Sequence, residues 1–139
     1  MGFYDSYKLV FDRVREKIDA VADIKRTVLG ERFRLTRLPM AIINPTTTRI
    51  EQLAIGSPLK ATVSFNIILV IRETEPKDWF DEIISLMGKC LDAIVADRSF
   101  GGACKDVIPV AFNPGEIRFA EKIYYGGLVG FEALLHYAP

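Results

Sequence analysis

A catalytic nucleophile needs a base within reach, and the sequence offers one histidine, His136, with two thiols, Cys90 and Cys104, as its only cysteine partners. A Cys–His pair would activate the sulfur for attack on an electrophilic centre. Nothing in the spacing sets either cysteine beside His136, and a histidine at the end of a strand is ordinarily a surface side chain. Two cysteines and one histidine also fall short of the usual zinc sets, and their spacing matches no metal motif. Asp81-Glu82 is a carboxylate pair, but neighbours on a helix point in different directions and stay solvated. Gly101-Gly102 lacks the strand–loop–helix setting and the lysine of a phosphate-binding loop. Asn113-Pro114-Gly115 is turn chemistry. The expectation is a chain with no catalytic, metal or cofactor constellation, one that works by contacting other chains.

Two features suit such contacts. Between positions 24 and 37, five basic residues (Lys25, Arg26, Arg32, Arg34 and Arg37) stand against Glu31 alone. Guanidinium forks bind carboxylates and phosphates, so this arm fits an acidic protein surface or a nucleic acid. Only Phe33 is placed there to stack on a base, which favours the protein surface. The second feature is Tyr124-Tyr125 beside Gly126-Gly127, where tyrosines near a hairpin match the composition of interfaces. Arg32, Arg34, Arg37, Tyr124 and Tyr125 are therefore the expected contact residues.

The whole chain bounds these readings. Its 139 residues, half of them hydrophobic, suit one globular domain with a core of its own. Eighteen bases balance eighteen acids. That neutrality provides no global field toward nucleic acid or membrane, and little repulsion between copies. No apolar run approaches the roughly 20 residues that span a bilayer. The opening MGFYDSYKLVFDRVREK is charged throughout, unlike a signal peptide, and the expected setting is a reducing cytoplasm. Gly2 and Ser6 fit a myristoylation pattern formally, as short patterns often do by chance.

The elements that must position these residues follow from periodicity. Tyr7, Val10, Phe11, Val14, Ile18 and Val21 recur at helical steps, predicting a helix over 4–22 that Asp5 or Ser6 caps. Residues 24–38 read as an irregular strand or extended arm. Met40–Ile43, bounded by Pro39 and Pro45, reads as a short strand, and Thr46–Ile55 as another. Lys60–Arg72 alternates cleanly and turns apolar on both faces at Ile68 and Val70, as a strand in mid-sheet or against a partner does. A second helix is expected over 77–97, with Thr74 as cap and a broad apolar face from Trp79 to Val95. Then come a strand over 107–112, a turn at 113–115, a strand over 117–125, a hairpin turn at Gly126-Gly127, and a last strand over 128–137. Helices and strands are segregated, so the fold class is α+β: a mostly antiparallel sheet with two amphipathic helices packed on one face.

This layout resembles the tail terminator, or tail-completion, family of tailed viruses and its minor tail protein relatives. The resemblance runs through the first helix YDSYKLVFDRVREKIDAV, the proline-bounded PMAIINP and the long strand KATVSFNIILVIRE. It continues through the helix WFDEIISLMGKCLDAIV and the closing IRFAEKIYYGGLVGFEALLHY. It implies a homo-oligomeric ring, commonly hexameric, that caps the tail tube and joins it to the neck or head–tail connector, with DNA passing through the lumen. It implies partners in the tail tube and neck proteins, assembly in the host cytoplasm, a place in the virion, no membrane and no cofactor. Head–tail stopper proteins and minor tail proteins share parts of the pattern. A reading of another class is a small nucleic-acid- or ligand-binding α+β module that uses the basic 25–37 segment.

Overall fold

The computed structural model describes residues 2–30, 33–35, 37–52, 55, 59–73 and 78–137. Helix α1 (Phe3–Asp19) buries Val10, Phe11, Val14 and Ile18 at three- and four-residue steps. Gly2 stands at its N-cap, with no side-chain cap from Asp5 or Ser6. Asp5 lies instead in the first turn, where the helix dipole favours a carboxylate. Strand β1 (Arg26–Val28) pairs parallel to the start of β2 (Met40–Gln52). Parallel neighbours need a connection that doubles back. This is why the alternating Arg, Phe and Leu residues that follow Gly30 form no strand where they are described: they belong to the return path.

The two short strands expected on either side of Pro45 are one strand. β2 runs through the proline with a register shift between Pro45 and Thr48. A proline is tolerated where its missing N–H faces an unpaired edge. Beyond Ile42, β2 has no outer strand partner among the described residues.

Strand β3 (Leu59–Arg72) is central, as its two-faced apolar end predicts, between β2 and β5. Helix α2 (Trp79–Val95) follows and buries Ile83, Leu86, Met87, Cys90 and Ile94. The cap expected at Thr74 lies outside the described residues. A 3-10 turn (Phe100–Gly102) leads into β4 (Asp106–Phe119), which is joined to β5 (Lys122–Tyr137) by Ala120-Glu121. Both turn residues have positive φ, 51° and 67°, as type I′ hairpin turns require.

Neither turn expected from glycine and proline is a turn. Asn113-Pro114-Gly115 lies within β4 and Gly126-Gly127 within β5, and they face each other: Pro114 opposes Gly127, and Gly115 opposes Gly126. The glycines serve close approach rather than chain reversal. A β-carbon at Gly126 would overlap the Leu69 backbone, and one at Gly127 would overlap the Met87 side chain.

The sheet order is β1-β2-β3-β5-β4, antiparallel throughout except between β1 and β2. Both helices pack on one face, against the alternate residues Ala61, Val63, Phe65, Ile67 and Leu69 of β3 and Val129, Phe131, Ala133 and Leu135 of β5. Phe65 stacks on Phe131 with centroids 5.3 Å apart, and Phe11 of α1 meets Phe65 edge-on at 5.5 Å. Burial of this apolar surface is the main stabilising term.

On the opposite face Met40, Val70 and Tyr124 are also buried, outside the main core. They lie toward the end of the sheet where β3 finishes and β5 begins. The return path from β1 arrives there, with Phe33 packed on Phe119 at 5.6 Å.

Candidate interaction surfaces

The expected contact residues divide. Arg34 and Arg37 are exposed, and Arg32 lies outside the described residues. The Phe33–Phe119 contact brings the basic segment to the β4–β5 hairpin tip, whose strand carries Tyr124 and Tyr125. Strand periodicity then sends the two tyrosines to opposite faces. Tyr124 is 7% exposed, so its side chain is spent within the chain. Tyr125 is half-buried against Trp79 at a centroid distance of 5.8 Å. A pair of outward tyrosines would need two residues of equal parity, not neighbours.

The structure does bring one thiol near the histidine. Cys104 and His136 line an open cleft of about 430 Å³, together with Ser99, Gly102 and Lys105. Cys104 donates to the Arg98 carbonyl at 3.6 Å. Burial, with the carboxylates of Asp106 and Asp97 adding to it, pushes its thiol up to about 11. Cys90, inside α2's apolar face, is pushed up by burial to about 12. Both sulfurs are neutral thiols near pH 7, which is the opposite of the depressed value a nucleophilic cysteine needs. Among the described residues no group of three or more His, Cys, Asp or Glu could hold a metal ion. Likewise, no helix among them is long and apolar enough to cross a membrane.

Two further surfaces lie at the sheet's flanks. On β4, Ile108, Val110 and Phe112 are exposed, with Val110 at 52%. Pro109 and Pro114 remove two backbone donors from this strand, and the register shifts between Pro109 and Ala111. Proline and bulges are how edges are kept from pairing. The β4 edge is therefore guarded as a strand but apolar in its side chains.

On the other flank β2 has no outer strand partner over Ile43–Gln52 among the described residues, and past Pro45 it carries no proline. Its distal residues Thr46, Thr47, Thr48 and Ile50 are β-branched, which suits an extended strand. Arg49 and Glu51 share one face and pair at 3.0 Å. Ile50, between them, points to the helix side, opposite Ala61, yet is 51% exposed because the helices do not reach it. The sequence signal for both flanks was present: a proline inside a strand pattern marks an edge. Reading Pro45 and Pro114 as strand boundaries concealed it.

No protein-family model matches this chain, and no curated protein matches it.

Proposed function

We propose that this chain is a structural subunit that assembles with copies of itself into a ring, in the manner of tail terminator proteins, which cap a virus tail tube and join it to the neck. The observation that carries the reading is the exposure of the apolar side chains Ile108, Val110 and Phe112, which the register shift distributes over both faces of a strand edge that Pro109 and Pro114 guard. A guarded edge does not add strands, so these side chains serve contact with a surface other than a strand edge. A contact between two unlike surfaces closes a ring when its rotation divides a full turn, and otherwise runs on as an open filament. The helix–strands–helix–strands order and the neutral overall charge fit the same reading. Arg34 and Arg37 are exposed on the return path, and their guanidinium forks suit an acidic partner such as a tube or neck subunit.

Light scattering across concentration tests it. The expected result is a closed oligomer of fixed size, and Val110→Asp with Phe112→Asp should reduce it to smaller species without loss of fold. A protein that stays monomeric at high concentration and shows no affinity for tail tubes would sink the reading. Salt-steep binding to short DNA by the monomer would favour the nucleic-acid-binding module in its place.

A further inference from the structure

The open half of β2 carries a sequence that is complementary to itself. We infer that Thr48–Gln52 pairs antiparallel with the same segment of a second copy, about a two-fold axis through Ile50.

Three independent features support this. Among the described residues the outer backbone of β2 has no strand partner beyond Ile42, so its outward N–H and C=O groups suit a further strand. Antiparallel pairing centred on residue 50 sets Arg49 opposite Glu51 of the second copy, and Glu51 opposite its Arg49. Opposite charges directly across a pair stabilise it, whereas like charges there destabilise it. Both residues lie on one face, with side chains 68% and 45% exposed, so they are free to be shared with a second copy. The same axis places Ile50 against Ile50 of the second copy on the other face, covering an apolar side chain that α1 and α2 leave open. A shift of register by one residue would lose all three matches.

Five residues on each side make a small contact, well below the area of a stable dimer interface. The contact stands on the β2 edge alone, and its consequence for a ring rests on the reading proposed above. A ring-closing contact combined with a two-fold contact generates a dihedral assembly, in which two rings sit face to face. Repetition around the ring then multiplies a weak pair into a firm one. The free protein would be a double ring, with the β2 edges hidden from strand-by-strand aggregation until a partner takes them.

The test compares full-length wild type with Arg49→Glu, Glu51→Arg and the double exchange R49E/E51R, by light scattering with circular dichroism as the check on folding. The wild-type particle should have an even number of copies. Each single variant should halve its mass, because like charges then face each other across the axis. An equimolar mixture of the two singles should recover the full mass, since an acidic segment meets a basic one, and the double exchange should recover it alone. Recovery by mixing is the outcome that only reciprocal pairing of position 49 with position 51 yields. A ring whose mass ignores both single variants overturns the inference and leaves the ring reading standing. A dimer that R49E splits supports the inference and overturns the ring. A monomer at every concentration overturns both.

Discussion

The side chain of Met87, on α2, occupies the space over Gly127 of β5 where a β-carbon would otherwise stand. This contact seats α2 against the sheet, and it explains a glycine in mid-strand that no turn requires. Gly127→Ala should cost about 1–3 kcal/mol by overpacking, read as a lower urea midpoint. Met87→Ala in the same chain should relieve only part of that cost, because the Asn113 carbonyl also crowds the site. Gly126→Ala should cost more than Gly127→Ala, since the obstacle there is the Leu69 backbone rather than a flexible thioether. Equal effects at 126 and 127 would contradict this account.

Phe65 touches aromatic rings from two other elements, Phe131 of β5 and Phe11 of α1. Truncation would open a cavity between sheet and helix. Phe65→Ala should therefore destabilise by about 3–5 kcal/mol in denaturant unfolding. Phe33→Ala, which removes one contact at the hairpin tip, should lose far less stability while loosening the return path.

Cys90 and Cys104 should be slow toward thiol reagents at pH 8 in the folded chain and fast after denaturation. Their folded values, about 12 and about 11, lie above the ordinary 9.0. The sign for stability follows: an unfolded thiol ionises more readily than either folded one, so alkali favours unfolding. Stability should be unaffected by these groups below about pH 8, and should fall as pH rises from about 9 toward 11. Rapid modification of native Cys104 at pH 7 would reverse this account and revive a Cys–His reading of the cleft it shares with His136.

Asp97 organises the turn between α2 and β4. It accepts from the Ser99 hydroxyl at 3.0 Å, the Gly101 N–H at 2.7 Å and the Ser99 N–H at 3.3 Å. These bonds hold its carboxyl below the ordinary value, with the Ser99 hydroxyl contributing most and the Gly101 N–H next. A lowered carboxyl stabilises the fold above its unfolded value and ceases to do so as pH falls through the folded one. Asp97→Asn should lower the melting temperature at pH 7, and the gap to wild type should narrow in acid. A gap that is constant with pH would mean that the charge is irrelevant.

Sequence pattern made some elements plain and hid others, for physical reasons. The strand expected over Lys60–Arg72 runs Leu59–Arg72, and the helix expected over 77–97 runs Trp79–Val95, because burial on one face imposes a period on side chains that fades at the ends. The extent of β2 and the position of the β4–β5 turn were not legible. Proline and glycine are ambiguous: they break structure, and they also mark open edges and close approaches. Gly126 and Gly127 answer to Leu69 and Met87, more than thirty residues away in sequence, so no local window contains their reason. Likewise Ala120-Glu121 makes a tight turn without glycine, because the paired strands on either side impose it. Of the expected contact residues, the exposure of Arg34 and Arg37 was legible from charge. The burial of Tyr124 depends on a return path whose course the sequence does not disclose.

The placement of α2 between β3 and β5 also has a kinetic side. β2 with β3, and β4 with β5, are hairpins whose partners are near neighbours in sequence. The pairing of β3 with β5 joins the halves across the whole of α2 and β4. Closing that loop loses chain entropy before the stacked rings of Phe65 and Phe131 can compensate for it. The rate of folding should accordingly be set by the meeting of two preformed halves. Substitutions at the β3–β5 seam should then slow folding, while those at the β4–β5 turn act mainly on its early steps. While the seam is still open, β3 and β5 each present a bare apolar edge. Those moments, rather than any exposed strand of the finished fold, are when the chain is most vulnerable to misassembly.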